Sequence, residues 1–347
     1  SMKKFLSLAL ALIMTLSLVT ISAGAAEYKD FTDKDEIQYE EAVAVLNRLG
    51  IITGYSEGDF RPEGELTRGA AAKIIVSLLI GPEAAEALPT TASPYPDVPA
   101  GNVFAGYISF CKNSEIISGY NDGTFRPTGT LTGFAFSKML LGALGYDSDI
   151  EKFTGSGWTV RVSALAHKAG LFDRISFNGG ETVNRETACQ LALNTLKATM
   201  VQYTGGMNIT SSDGTSMVVN ATREYLTSNQ DYASHIDNRK VTDSANNKND
   251  YWTVEFGEEH FKDLRMDRER ENSDGFGRPS NEWSYKKVTI GTYPIAADFT
   301  YNSQVIHCVE GTTDAAKVRA LGLNGYEVVG PKEATRDKQT HLWLNGY

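Results

Sequence analysis

The chain has 347 residues, of which 41% are hydrophobic and 22% are charged, and this composition excludes a disordered, collagen-like or coiled-coil protein. Lys and Arg number 33 against 43 Asp and Glu, a formal net charge of -10. Nucleic acid is therefore not an expected partner, because phosphate recognition needs a basic surface. The length predicts about two domains, each large enough for its own core.

The first 25 residues are typical of an export signal. Lys3 and Lys4 precede an apolar stretch at residues 5–21, and small residues follow at 23–25. This order predicts a secretory signal peptide that is cleaved, rather than a retained membrane helix. We assign residues 2–25 to the signal peptide, and we interpret Ser1 as a residue added before the initiator Met2. The mature protein is expected to be exported, with no membrane segment.

Two nine-residue segments in the next part of the chain repeat each other. G-Y-S-E-G-D-F-R-P begins at Gly54 and G-Y-N-D-G-T-F-R-P begins at Gly119, and Leu-Thr follows each at the same distance. A weaker third copy carries V-N-R at 183–185 where the first has L-T-R at 66–68, but residues 175–181 replace its glycine-rich turn. The repeated segments thus predict three related units.

Each copy predicts a helix, a turn-rich loop and a second helix. The apolar residues of the first helix recur at the spacing of one helix face, and Gly50 supplies the left-handed residue that ends it. These stripes are Tyr39, Ala42, Val43, Leu46 and Leu49 in the first copy, and Phe104, Tyr107, Ile108 and Cys111 in the second. Thr67, Thr132 and Asn184 are the expected N-caps of the second helices. Packed together, the three helix pairs would share a core.

These residues, F-x-D, then G-Y-x-D-G-x-F-R-P, then L-T-R, resemble the S-layer homology (SLH) domain. The resemblance covers about residues 28–203, as copies at 28–82, 94–146 and, in degenerate form, 147–203. It implies an all-α, pseudo-threefold assembly whose grooves bind secondary cell-wall polysaccharide, often through a pyruvylated sugar. It also implies a secreted surface or S-layer protein of a Gram-positive bacterium, anchored non-covalently to the wall, with other S-layer subunits as further partners.

Two arginines are the main candidates for an acidic sugar. Arg68 and Arg185 each follow an N-cap, where unpaired backbone N–H groups and the helix dipole favour an anion and a guanidinium adds a bidentate fork. The alternative is that both arginines only form salt bridges with a neighbouring repeat. The second copy has Gly133 at this position, so its groove is predicted to bind weakly or to be structural.

The resemblance adds seven candidate polysaccharide-binding residues. Those of the first two copies are Asp33, Gly54, Tyr55, Asp97, Gly119 and Tyr120, and the third copy contributes Trp158. The two aspartates either accept sugar hydroxyls or cap the helices that follow. Trp158 either stacks on a sugar or packs in the core. Arg61 and Arg126 are expected to hold the loops in shape.

Beyond Tyr203 the composition becomes polar and the predicted elements are strands, so the fold class is α+β. We predict a polar linker with short strands at 204–250, including a hairpin and a strand at 217–219, and a β-containing spacer or display domain at 251–347. Expected strands are 251–256, 288–293 and 303–306, an expected helix is 313–321, and 263–271 is a possible solvated helix. Residues 276–293 are similar to a segment that follows SLH copies in clostridial surface proteins.

The sequence contains no motif that supports catalysis. His-Glu-x-x-His, G-x-S-x-G and clustered metal ligands are absent, so no enzyme, cofactor or metal is predicted. The distant Cys111, Cys189 and Cys308 fit no disulfide scaffold, and the first two are expected in the core. A rival hypothesis is a wall-tethered, glycan-degrading or wall-remodelling enzyme whose catalytic part lies in 204–347 or beyond this sequence. A third hypothesis assigns lattice contacts to the C-terminal half.

Overall fold

The computed structural model describes residues 28–210, 216–228, 236, 240–242, 250–269, 279–295, 297, 299–302, 326–328 and 339–344. In these residues helices occupy the N-terminal part and antiparallel strands most of the C-terminal part, which confirms the predicted α+β composition. The predicted signal peptide, Cys308 and the elements expected at 303–306 and 313–321 lie outside the described residues.

The helical part contains the expected helix pairs. Its helices are α1 (Glu40–Arg48), α2 (Arg68–Ile80), α3 (Pro82–Glu86), α4 (Ala105–Asn113), α5 (Gly133–Ala143), α6 (Trp158–Lys168) and α7 (Arg185–Lys197). Two 3-10 turns, Tyr28–Asp30 and Lys34–Glu36, precede them. The pairs α1/α2, α4/α5 and α6/α7 correspond to the three predicted copies, and α3 is an additional short helix.

The predicted apolar stripes pack into one continuous core. Val43 and Leu46 of α1 and Ile108 of α4 are fully buried, because residues three and four apart share one face of a helix. Gly50 has a φ of 74°, the left-handed conformation expected after α1. Cys111 and Cys189 are free and buried, as expected, and burial raises the pKa of both thiols to about 12.

The strands form small antiparallel sheets. They are β1 (Val201–Thr210), β2 (Ser216–Tyr225), β3 (Thr227–Ser228), β4 (Lys240–Thr242), β5 (Asp250–Thr253), β6 (Leu264–Glu269), β7 (Ser280–Tyr285), β8 (Val288–Pro294), β9 (Phe299–Asn302), β10 (Tyr326–Val328) and β11 (Gln339–Leu344). The orders are β1-β2, β3-β5-β4, β6-β7-β8 and β10-β11-β9. β1 and β2 form the predicted hairpin, but each has 10 residues, longer than the short strands expected of a linker.

Two expectations for residues 251–271 are wrong. The predicted strand 251–256 ends at Thr253, because Glu255 and Glu258 form a capping box that starts a short helix, α8 (Phe256–His260). The possible helix at 263–271 is instead strand β6. Leu264 and Met266 are buried there, and this alternation of buried residues is the period of a strand.

The strand part packs directly on the helical part. The N–H of Phe256 donates to the carbonyl of Ala198 at 2.9 Å, and the N–H of Met200 donates to Val254 at 3.0 Å. At α8, the His260 Nδ1 donates to the Leu79 carbonyl at 2.9 Å. The end of α7, the start of β1 and α8 are therefore joined by backbone hydrogen bonds, and β1 crosses the domain boundary expected at residue 204.

Candidate functional site: grooves between the helical repeats

The second helix of each repeat begins against the loop of another repeat. The Arg68 and Gly69 N–H groups of α2 donate to Gly129 and Pro127, each at 2.8 Å. In the same way, α5 donates to Glu181 and Gly179, and α7 donates to Gly64 and Pro62. The three contacts run from the first copy to the second, from the second to the third and from the third to the first, so they close a ring.

These hydrogen bonds correct one premise of the sequence analysis. The third N–H of each helix is also satisfied, because the N-caps Thr67, Thr132 and Asn184 accept from Ala70, Ala135 and Thr187 as predicted. The N–H groups at the helix starts are therefore not free for an anion. Any anion site in the grooves must depend on side chains.

The two candidate arginines bind backbone carbonyls of the neighbouring loop. Arg68 Nε donates to the Phe125 carbonyl at 2.7 Å, and Arg185 Nε donates to the Phe60 carbonyl at 2.9 Å. Arg185 Nη2 also donates to Thr53 at 3.0 Å. The alternative expectation of salt bridges to a neighbouring repeat is not met among the described residues, because both arginines contact that repeat through carbonyls and not through a carboxylate. Because a carbonyl carries no formal charge, both guanidinium charges remain available to a ligand anion.

Each of the two intact loops holds a tyrosine between two arginines. The Arg61 guanidinium lies 4.1 Å from the centre of the Tyr55 ring, and that of Arg185 lies 4.8 Å from it. Tyr120 is held in the same way, by Arg126 at 4.1 Å and Arg68 at 4.8 Å. Both rings remain about two-fifths exposed, at 42% and 41%. An exposed ring braced by cations offers a flat surface on which a sugar can stack.

Arg61 and Arg126 form ion pairs within their own loops, as expected. Arg61 pairs with Asp59 at 2.7 Å, and Arg126 pairs with Asp122 at 2.8 Å. Both residues have positive φ values, 59° and 60°, a conformation that costs energy for a residue other than glycine. Their backbone must therefore be held by something else.

Asp33 and Asp97 hold these strained residues. The two carboxylate oxygens of Asp33 accept from the N–H groups of Phe60 and Arg61, at 2.8 and 2.7 Å. Asp97 accepts in the same way from Phe125 and Arg126, at 2.8 and 2.6 Å. The expectation that the two aspartates cap helices is wrong for the side chains, because the loop N–H groups occupy them. Both carboxylates hold the shape of these two loops.

Gly54 and Gly119 permit a close approach between two parts of each repeat. A Cβ at Gly54 would lie 2.7 Å from the Phe31 ring, and one at Gly119 would lie 2.6 Å from the Tyr95 ring. Phe31 in turn stacks on Phe60, with ring centres 5.6 Å apart. The two glycines therefore act through packing, and they place the following tyrosine at the surface.

One groove brings four of the nine predicted binding residues together. It has a volume of about 330 Å³, and we call it the Arg68 groove. Of the predicted residues, Arg68, Gly119, Tyr120 and Trp158 line it. Trp158, the first residue of α6, is half-buried, and it lines this groove while also packing against the core. The groove thus combines a guanidinium with two aromatic rings.

Sequence reasoning missed Lys138, which lines the same groove. Its ammonium lies 5.9 Å from the centre of the Trp158 ring. Burial lowers its pKa, and the charge of Arg68 adds to that effect. Burial also lowers the pKa of Arg68. The available signal was the equal spacing of Lys73 and Lys138 from the N-caps of their helices.

Arg185 and Tyr55 meet at a second contact between repeats, which we call the Arg185 groove. Arg185 of the third repeat meets Thr53, Tyr55 and Phe60 of the first. The repeat of the same contacts around Arg68 shows that one geometry is used twice. The Arg68 and Arg185 grooves have the same arrangement because the loops that form them carry the same repeated sequence.

The position of Gly133 is filled by a neighbouring ring. A Cβ at Gly133 would lie 2.3 Å from Phe177 of the third repeat, and the Phe177 ring packs edge-on against Phe172. No arginine fits there, so the third inter-repeat contact has neither the guanidinium nor the tyrosine of the other two. Its geometry is that of a packed interface.

The strand part holds a buried pair of carboxylates, Glu255 and Glu258. Burial raises the pKa of Glu255 to about 9, and the neighbouring Glu258 adds to the shift. Glu255 accepts from the Thr253 hydroxyl at 2.6 Å, and Glu258 accepts from the Ile236 N–H at 3.0 Å. The pair lies at the start of α8 and serves its capping box.

Among the described residues no cluster of three or more His, Cys, Asp or Glu side chains is arranged to hold a metal ion. No helix among them is both long and apolar enough to cross a membrane.

Comparison with known proteins identifies the first two repeats. The sequence profile of the S-layer homology domain matches residues 30–72 and 94–136. Two SLH domains are therefore present, and they contain Asp33 and Arg68 of the first copy and Asp97 and Tyr120 of the second. Residues 147–203 lie outside both matched segments.

Curated relatives carry surface-protein names. The chain is 31% identical over 150 residues to "Surface layer protein" of Brevibacillus choshinensis, covering 43% of this chain and 13% of the relative. It is 28% identical over 165 residues to "Middle cell wall protein" of Brevibacillus brevis, covering 47% and 16%. It is 38% identical over 90 residues to "Cell surface glycoprotein 1" of Acetivibrio thermocellus, covering 26% and 4%. The matched part is thus a small fraction of each relative.

Proposed function

We propose that residues 28–203 anchor a secreted protein non-covalently to the cell wall of a Gram-positive bacterium, by binding secondary cell-wall polysaccharide in the Arg68 and Arg185 grooves. The two SLH domains and the names of the surface and cell-wall relatives support this anchoring role. The observation that carries the proposal is the Arg68 groove, where a guanidinium, an ammonium and two aromatic rings line one cavity. A carboxylate and a sugar face are the chemistry that such a lining recognises.

The proposal includes the pseudo-threefold assembly that the resemblance implies. The ring of backbone hydrogen bonds supports it, because each second helix donates to the next loop with the same two N–H groups. The degenerate third copy takes part in this ring although its turn is altered. The ring is also what creates the grooves, since Arg68 and Arg185 reach loops of other repeats.

A pyruvylated sugar suits the grooves because its carboxylate is held beside the apolar face of a sugar ring. A hydrogen bond to a charged group contributes about 1.5–3 kcal/mol, equivalent to roughly tenfold to a hundredfold in affinity. The net charge of -10 does not oppose this binding, because short-range contacts in a groove exceed a screened overall field. The cations that line the grooves, rather than the net charge of the protein, therefore determine which ligand binds.

We propose no reaction for this chain, and we place residues 204–347 as a spacer, display or lattice-forming region. The buried Glu255–Glu258 pair does not favour the rival enzyme, because both carboxylates serve the start of α8. Other S-layer subunits are proposed as additional partners of this region.

Sedimentation with purified sacculi tests the proposed function. The protein is expected to pellet with native sacculi and to stay in solution with sacculi from which the secondary polysaccharide has been removed. Arg68→Lys is a useful variant, because it keeps the charge but loses the planar fork, and it should pellet less at low sacculus concentration. Equal binding to stripped and native sacculi would overturn the proposal.

A further inference from the structure

The three repeats differ at one position of their second helices. Lys73, Lys138 and Gln190 each stand six residues after an N-cap, so they occupy equivalent turns of α2, α5 and α7. Lys73 pairs with Glu86 at 3.7 Å, and the Gln190 amide donates to Asn194 at 3.0 Å. Lys138 has no hydrogen bond or ion pair with any described residue. At two of the three equivalent positions, the side chain therefore already has a polar partner within the chain.

The surroundings of Lys138 disfavour its charge. Its side chain is half-buried, and burial is the largest cause of its lowered pKa. The exposed Asp149 opposes this shift in pKa without coming within ion-pair distance, and Arg68, a second cation, adds to the shift by a smaller amount. A part-buried cation beside another cation costs folding free energy. An anion bound between them would reverse that cost.

We propose that Lys138 and Arg68 form a dicationic subsite for the anionic group of a saccharide whose ring stacks on Trp158. The inference rests on the proposed function and adds a specificity-determining residue to it. The lining of the groove by all three side chains supports the assignment, as does the 5.9 Å separation of the Lys138 ammonium from the Trp158 ring centre. The ligand class is a sugar carrying a carboxylate or another compact anion next to an apolar face.

The subsite makes the two grooves unequal. In the first repeat, the equivalent Lys73 is already paired with Glu86 at 3.7 Å, so the cation at this position of the Arg185 groove has a counter-charge that Lys138 lacks. The Arg68 groove should therefore bind the anionic saccharide more tightly than the Arg185 groove. Binding to the whole chain is expected to show a tighter class and a weaker class of sites.

Calorimetric titration with polysaccharide released from the sacculi of the source organism tests the inference. Lys138→Gln removes the charge and keeps a polar side chain. It should weaken the tighter class about tenfold, which corresponds to one lost ionic contact, and the loss should shrink at high salt because screening weakens the contact. Lys73→Gln is the matched control and should stay within twofold of the unmodified protein. Lys138→Arg should retain most of the affinity.

Each outcome separates this inference from the proposed function. If the unmodified protein binds neither released polysaccharide nor sacculi, the proposed function fails. If it binds and Lys138→Gln binds within twofold of it, only the dicationic subsite is overturned. An equal loss in Lys73→Gln would also overturn it. The melting temperature of Lys138→Gln should be unchanged or higher, since a desolvated cation is removed, and a lower value would contradict the subsite by giving Lys138 a structural role.

Discussion

The indole Nε1 of Trp283, in strand β7, donates a 2.6 Å hydrogen bond to the carboxylate of Glu41 in helix α1. The Asn281 amide donates to the same oxygen at 2.9 Å. Trp283 is fully buried, so this contact lies inside the boundary between the strand part and the helical part. The β6-β7-β8 sheet is thus docked on the first repeat by a charged acceptor shared between two donors.

Glu41→Ala should destabilise the protein by about 1–3 kcal/mol, because two donors at this boundary lose their acceptor. Urea unfolding followed by tryptophan fluorescence measures the change. Glu41→Gln keeps an acceptor oxygen and should cost less. Glu36→Ala, an exposed control in the preceding 3-10 turn, should have a small effect. If Glu41→Ala lowers the free energy of unfolding by no more than Glu36→Ala does, the boundary does not depend on this contact.

Asp97→Ala should destabilise the second repeat by about 1–3 kcal/mol, because the left-handed Arg126 and its neighbour lose two hydrogen bonds. Partial burial raises the pKa of Asp97, but the N–H groups of Phe125 and Arg126 outweigh that effect and the net pKa is lowered. The stabilisation from Asp97 is therefore present above the ordinary aspartate pKa and is lost as the pH falls through the lowered value.

Thermal melts between pH 7 and pH 3 check the Asp97 prediction. The difference in melting temperature between the unmodified protein and Asp97→Ala should narrow toward the acid end. Asp97→Asn retains one acceptor and should fall between them. A constant difference across this range would contradict the assignment of the carboxylate to the loop.

Gly133→Ala should destabilise the protein by about 1–3 kcal/mol, because the new Cβ would lie 2.3 Å from the Phe177 ring. Gly142 lies on the same helix, and its Cβ would meet Ile116 at 3.5 Å, an ordinary contact. Gly142→Ala should be neutral or stabilise the helix by up to about 1 kcal/mol. Chemical unfolding of the two variants measures the contrast, and equal effects would refute the packed contact at Gly133.

The stability of the α8 junction should fall as the pH rises. The pKa of Glu255 is raised to about 9, primarily by burial, so the folded state keeps a proton that the unfolded state releases near its ordinary pKa of 4.5. Its contribution is complete below that ordinary value and declines as the pH rises toward about 9. Glu255→Gln should flatten this dependence in melts from pH 5 to pH 9.5.

Glu259→Gln is the matched control for the junction, because Glu259 is an exposed residue of the same short helix. It should keep the pH dependence of the unmodified protein. If Glu255→Gln retains the same slope as this control, the ionisation of Glu255 does not govern the junction.

The local patterns of the sequence predicted much of the helical part. The N-caps Thr67, Thr132 and Asn184 and the left-handed Gly50 are confirmed because capping depends on residues three or four positions apart. The helix assignment of residues 263–271 was wrong, because alternating charges suggested a solvated helix, whereas Leu264 and Met266 are buried in a strand. The local sequence pattern alone could not reveal that these two side chains are buried.

The amino-acid sequence by itself determined the repeats, the two SLH domains and the candidate residues Arg68, Arg185, Tyr55 and Tyr120, since each depends on residue type and short-range spacing. Only the tertiary structure decided what these residues contact. It placed Arg68 against the loop of the second repeat, brought Lys138 and Trp158 into the same groove, and filled the position of Gly133 with Phe177. These relationships join residues that are distant in the chain, and such contacts are set by how the helices pack.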